Sequence, residues 1–176
     1  MSGHNKWSKI KHKKAATDAA KSKIFGKMAR LITVESKKAG GDVTSPGLAA
    51  AIARAKTVSM PKDNIDRAVA KGSSADAVAL DSVVYETYGP SGVAVIIDAL
   101  TDNRNRTAAE VKHILSKNGY ELATPGSASW AFTSTHEGYE PNTTVELSEE
   151  DEEKLGSLLE QLDEQDDVQE IYTNAA

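Results

Sequence analysis

Apolar positions in the first 72 residues recur at helical spacing. Ile24, Met28, Leu31 and Glu35 fall on one stripe with Phe25 and Ile32 beside it, which predicts a helix over about 15–38 that Gly40-Gly41 ends. Lys21, Lys23, Lys27 and Arg30 come off its other sides. Ser45-Pro46 reads as an N-cap followed by proline at the first helical position, and Leu48 and Ile52 give the second helix its inward face. A third helix starts near Met60-Pro61, turns Ile65 and Val69 inward, and stops at Gly72. Residues 15–72 therefore read as a three-helix unit with basic outer faces. Residues 1–14 read as a basic arm.

The period changes after the linker Gly72-Ser73-Ser74-Ala75. Val83–Tyr88 and Val93–Leu100 are β-rich runs joined by Gly89-Pro90-Ser91-Gly92, a hairpin turn. Thr107-Ala108-Ala109-Glu110 has the pattern of a capping box opening a helix through Val111, Ile114 and Leu115 to Asn118-Gly119. Ser129–Phe132 and Thr143–Leu147 read as two further strands. Ser148 caps a helix whose buried face is Leu155, Leu158, Leu159 and Leu162, and Val168–Tyr172 is a last strand. This order predicts an α+β protein: a three-helix domain, then a two-layer sandwich over 76–176 with a mostly antiparallel sheet.

Charge changes the picture more than composition does. Residues 1–72 carry 16 Lys+Arg against 5 Asp+Glu, while the other 104 carry 5 against 21. The overall net charge of −5 hides a basic first third, the footprint of polyanion binding. A solvated lysine-rich surface is the blander alternative. Residues 1–14 hold Lys6, Lys9, Lys11, Lys13 and Lys14 with no acid, a density that repels itself without a negative partner. The chain has no cysteine, which removes disulfides and thiolate chemistry and fits a reducing compartment. No apolar run approaches a membrane span and no apolar stretch follows the basic N-terminus, so a cytoplasmic protein is expected.

The chemistry-bearing residues point to binding. His4 and His12 lie in the lysine-rich arm, where a metal cation is repelled; nucleic-acid contact or solvent exposure suits both better, and no zinc spacing exists. Trp7 either anchors the arm or stacks on a base. Thr101 through Thr107 is a polar run with Arg104 and Arg106, the sole basic residues between Lys71 and Lys112. These arginines either form an anion site at a helix N-terminus or belong to a turn held by salt bridges. The acid-rich stretch from Glu137 onward is a solvated face, or a surface that repels nucleic acid and orients docking. Asp98, Asp102 and Glu110 have no spacing that demands magnesium. With no nucleophile elbow, phosphate-binding loop, dinucleotide fingerprint or metal cluster, neither an enzyme nor a cofactor is expected.

Several runs together resemble the YebC/PmpR family. They are Ser2 through Ala16, Lys23-Ile24-Phe25, Met60 through Ile65, Tyr88-Gly89-Pro90 with Gly92 through Val95, Thr101 through Arg106, Ser116 through Gly119, and Asp166 through Gln169 with Tyr172-Thr173-Asn174. The resemblance implies a helical N-terminal domain followed by two α+β domains. It also implies a DNA-binding transcriptional regulator; a mitochondrial relative activates translation and some bacterial members relieve ribosome stalling. Family members are longer, with the third domain inserted into the second. Here Ser129 through Phe132 resembles the strand entering that insertion and Thr143 through Leu147 the segment after it, so the inserted domain is expected to be missing between about 133 and 142. Polyanion binding is what carries over best. The expected contacts are Lys6, Trp7, Lys9, Lys11, His12, Lys13, Lys14, Lys21, Lys23, Lys27, Arg30, Lys62, Arg104 and Arg106. The expected partner is DNA or structured RNA, including the ribosome, with no membrane.

Overall fold

The computed structural model describes residues 18–176. The chain divides into two compact units, with the boundary between Asp81 and Ser82.

The first unit contains helices α1 (Asp18–Ala39), α2 (Pro46–Thr57) and α3 (Lys62–Ser73). Its core gathers Met28, Ile32, Leu48, Ala51, Ala55, Met60, Ile65 and Ala68. Gly40 and Gly41 end α1 with φ of +59° and +84°, and the Gly41 N–H reaches back to the Ser36 carbonyl at 2.9 Å. Ser45 occupies the N-cap of α2 without a side-chain capping bond. Asp42 organises that turn instead, accepting from the Thr44 N–H (2.9 Å) and hydroxyl (2.7 Å), which hold its carboxyl below the ordinary range.

Two details of α1 differ from the expected stripe. Its buried face follows Met28, Ile32 and Ser36, with Thr33 and Val34 beside them. Glu35 is only partly covered: it pairs with Lys38 at 2.9 Å and lies over Gly47. Gly72 does not stop α3, which runs one residue further. It sits where α3 crosses α1, so close that a Cβ there would overlap the Thr33 carbonyl and lie 2.6 Å from Ser36 Cβ. The Ser36 hydroxyl donates to the Val69 carbonyl across this contact (2.7 Å), which pairs a fully buried polar group.

The second unit is built on a three-stranded sheet with order β1-β2-β5. Its strands are β1 (Asp81–Tyr88), β2 (Ala94–Thr101) and β5 (Val168–Thr173). β2 and β5 are antiparallel, Ile97 opposite Ile171, with a bulge after Asp98. Helices α4 (Arg104–Lys117) and α5 (Glu149–Glu164) cover one face. There Val95, Ile97 and Ile171 pack with Val111, Leu115, Leu155, Leu158, Leu159 and Leu162. The alternation of β2 and the leucine spacing of α5 thus meet in one core.

The opposite face carries a smaller cluster of Ala94, Ile96, Ala128, Ala131 and Phe132. It is closed by a two-stranded antiparallel hairpin, β3 (Phe132–Thr135) and β4 (Gly138–Pro141). Tyr139 meets both Phe132 and Tyr172 edge to face, at 6.4 and 5.2 Å between ring centres. The expected strand at Thr143–Leu147 is instead a single parallel bridge from Val145 to Ala175. Ser129–Ala131 is a 3-10 turn, so the third strand starts only at Phe132. The architecture is α+β, with an N-terminal helical region.

Candidate nucleic-acid interface

Lys6, Trp7, Lys9, Lys11, His12, Lys13 and Lys14 lie outside the described residues. On α1, Lys21 is exposed and Lys23 and Arg30 are half-buried. Lys27 is not a surface group: the residue is only 5% exposed, contrary to the expected outward face. Lys23, Lys27 and Arg30 stand at i, i+4 and i+7, one stripe of the helix, and each is engaged by a neighbouring group. Lys62 opens α3 with its side chain exposed, paired to Asp66 at 2.6 Å, a contact that raises its pKa.

The second cluster of cations forms where β2 runs into α4. Asn103, rather than Thr107, is the N-cap: its side chain accepts from the Arg106 N–H at 3.0 Å. Thr107 lies inside the helix and is fully buried, its hydroxyl 2.7 Å from both Thr101 Oγ1 and Asp167 Oδ2. Asp167, 2% exposed, also accepts from Arg106 Nη2 at 3.0 Å and from Gln165 Nε2 at 3.2 Å. Arg106 Nη2 makes a second ion pair with Asp102 at 2.8 Å. Hydrogen bonds to Asp167 and then Asp102 raise the Arg106 pKa and fix its charge. Gln165 completes the knot, donating to Glu110 at 2.6 Å and accepting from the N–H groups of Asp167 and Val168.

This geometry separates the two arginines. Arg106 is held in salt bridges on the protein itself, the turn-and-salt-bridge alternative, although its side chain stays 43% exposed. Arg104, the first residue of α4, is exposed. Glu110, read as half of a capping box, bonds Gln165 instead. Sequence reasoning missed Asp167 and Gln165 as the groups that hold this loop, and the one signal was the Asp166-Asp167-Val168-Gln169 run.

The remaining polar residues are spread out. Asp98 lies mid-strand opposite Glu170, and Asp102 faces Arg106. Among the described residues, no group of three or more His, Asp or Glu is placed to hold a metal ion. The four acids Glu149–Glu152 fill the first turn of α5, where the helix dipole favours them. No helix among the described residues is long and apolar enough to cross a membrane.

Comparison with known proteins agrees along the whole chain. Residues 5–75 match the TACO1/YebC protein N-terminal domain, and residues 80–137 and 133–175 match the TACO1/YebC second and third domain. A probable transcriptional regulatory protein of Thermotoga maritima is 38% identical over 236 residues, covering 99% of this chain and 93% of that protein. One from Desulforapulum autotrophicum is 43% identical over 183 residues, covering all of this chain and 72% of that protein. A crystal structure of a conserved hypothetical protein from Aquifex aeolicus superposes with a TM-score of 0.83 at 31% identity, over 97% of this chain and 96% of that one. The chain belongs to the TACO1/YebC family.

Proposed function

We propose that this protein is a non-enzymatic regulator of gene expression that binds DNA through its basic first third, in the manner of a transcriptional regulator. The observation that carries this is the charge split, 16 Lys+Arg against 5 acids in residues 1–72 and 5 against 21 beyond. The naming of the Thermotoga, Desulforapulum and Francisella relatives as probable transcriptional regulatory proteins supports it. In this reading Lys6, Lys9, Lys11, Lys13 and Lys14 with Lys21, Lys23, Arg30 and Lys62 neutralise phosphates, and Trp7 and His12 add uncharged contacts. Arg104 supplies a further contact that Arg106 positions. The acidic second unit repels the polyanion and orients docking.

A second reading, a translation factor acting on ribosomal RNA, is favoured by one feature. The basic arm interleaves lysines with a single tryptophan and lacks the pattern of a recognition helix, which suits structured RNA. Both readings place the protein in the cytoplasm.

We propose further that the stretch from about 133 to 142 stands where relatives carry an inserted domain. The Thermotoga alignment runs over 236 positions for a chain of 176 residues, and the family match is split at 133–137. The β3–β4 hairpin closes the sheet face that remains.

Binding of the full chain to duplex DNA, structured RNA and purified ribosomes, measured against salt, tests the function. Duplex binding with a log–log slope of roughly −0.9 per phosphate neutralised is expected. Co-sedimentation with ribosomes at salt that abolishes duplex binding selects the second reading. No affinity for any of the three at low salt refutes both.

A further inference from the structure

The β3–β4 hairpin closes only part of its sheet face. Ala94, Ile96 and Tyr172 pack in the smaller cluster there. Side chains alternate along a strand, so the same face continues with Asp98 and Leu100 of β2, Val84 and Glu86 of β1 and Glu170 of β5. Neither Val84 nor Leu100 joins a core cluster of the described residues. Val84 is 42% exposed, yet Leu100 is only 7% exposed, which calls for a cover that those clusters do not supply. This part of the face is also acidic. Asp98 stands directly opposite Glu170, a like-charge pairing that costs a sheet stability. Glu86 accepts from the Gly126 N–H, a bond that keeps its charge. Burial, and then the charges of Asp98 and Glu86, raise the pKa of the Tyr139 hydroxyl above them.

We propose that the chain's own basic arm, residues 1–14, docks on this part of the face and that nucleic acid has to displace it. Trp7 and Ile10 cover Val84 and Leu100, and the lysines of the arm face Asp98, Glu170 and Glu86. The competition rests on the function proposed above; the docking does not. The arm matches the face in both respects. It holds five lysines and no acid, and Trp7 and Ile10 are its large apolar residues. The face offers carboxylates beside two aliphatic side chains.

Other occupants fit less well. A nucleic acid would set its phosphates against the three carboxylates. The arm of a second copy has the right chemistry, but the chain's own arm is tethered, which makes its docking intramolecular and favours it in dilute solution. The tether is long enough to cross the sheet: the 17 residues before Asp18 span up to roughly 55–60 Å when extended, against roughly 10 Å across three strands. While docked, the arm lysines are neutralised by protein carboxylates and are not available to phosphates. The acidic unit then sets a threshold that only a dense polyanion overcomes.

The test is methyl NMR of the full chain with one nitroxide on the arm, which the absence of cysteine allows at Ser8→Cys. The label should broaden the Val84 and Leu100 methyls more than those of Ile65 and Val69 in the helical unit. Asp98→Asn with Glu170→Gln should remove most of that broadening and raise affinity for a duplex DNA several-fold. Trp7→Ser, which leaves the sheet untouched, should also reduce the broadening. Saturating duplex should abolish it. The docking is overturned if Val84 and Leu100 are not broadened, if the helical unit is broadened instead, or if neither set of substitutions reduces the effect. It is also overturned if mixing labelled with unlabelled chains broadens the unlabelled ones, which makes the contact one between copies. Bound duplex that leaves the broadening in place overturns the competition. Broadening without any duplex binding refutes DNA binding as the function and leaves the docking standing.

Discussion

The Arg106 guanidinium lies 3.0 Å from the Asp167 carboxylate, tying the first turn of α4 to the segment that leads into β5. Asp167 is buried and Arg106 is about half exposed, so the pair stabilises less than a fully buried one but leaves a buried charge when broken. Arg106→Gln should leave the buried Asp167 carboxylate without its ion pair and lower Tm. Arg104→Gln should weaken nucleic-acid binding and reduce the salt slope by about 1. Thermal denaturation and salt-dependent binding of the two variants decide the assignment. Equal losses of affinity with no loss of stability would return Arg106 to the binding surface.

Gly72 and Gly26 are both helical glycines with opposite surroundings. A Cβ at Gly72 would overlap the Thr33 carbonyl, backbone that cannot swing away, whereas nothing lies within 4 Å of a Cβ at Gly26. Gly72→Ala should therefore destabilise by about 1–3 kcal/mol through overpacking. Gly26→Ala should stabilise by about 0.5–1 kcal/mol, because alanine loses less backbone entropy within a helix. Urea denaturation of the two single variants measures both signs. Similar values for the pair would mean that α1 and α3 do not approach as closely as described.

What was legible in the sequence was local. The three helices, the turn at Gly89–Gly92 and the leucine face of α5 rest on periodicity and on turn residues a few positions apart. Gly72 looked like a stop because glycine after an apolar stripe commonly ends a helix; its packing role depends on Thr33 and Ser36 of another helix. The Arg106–Asp167 pair spans 61 residues, and no local pattern links the two. The β3–β4 hairpin was missed because Gly138 and Pro141 argue against a strand. It forms through Tyr139 packing on Phe132 and Tyr172. For the binding surface, the net charge of the first third was readable, but the burial of Lys27 was not: its spacing does not reveal what packs over it.

Leu159 is 1% exposed in the main core, beneath the sheet residues Val95, Ile97 and Ile171. Leu159→Ala should cost about 2–5 kcal/mol, from lost transfer energy plus the cavity left behind. Calorimetry of the variant measures it. An unchanged Tm would mean that α5 is not docked on the sheet, against the packing described.

Asp151 supplies a pH dependence. The Ser91 hydroxyl donates to its Oδ2 at 2.7 Å, and this bond is the main reason its carboxyl titrates below the ordinary 3.8. A second donor, the Ser148 hydroxyl, and the charge of Lys154 act in the same direction against partial desolvation. A carboxyl whose pKa is depressed on folding contributes stability that is present above 3.8 and lost as pH falls through the folded value. Ser91→Ala should move the Asp151 pKa back up in an NMR titration. The variant should be less stable than the parent at neutral pH, with the gap closing below the folded pKa. The turn itself provides the control, since Ser91 has φ +55°, a conformation that strains serine and alanine alike. Ser91→Gly removes the hydroxyl and relieves that strain. It should show the same rise in the Asp151 pKa, whatever it does to Tm. If the gap between parent and Ser91→Ala persists at low pH, the serine acts through the turn and not through the carboxylate.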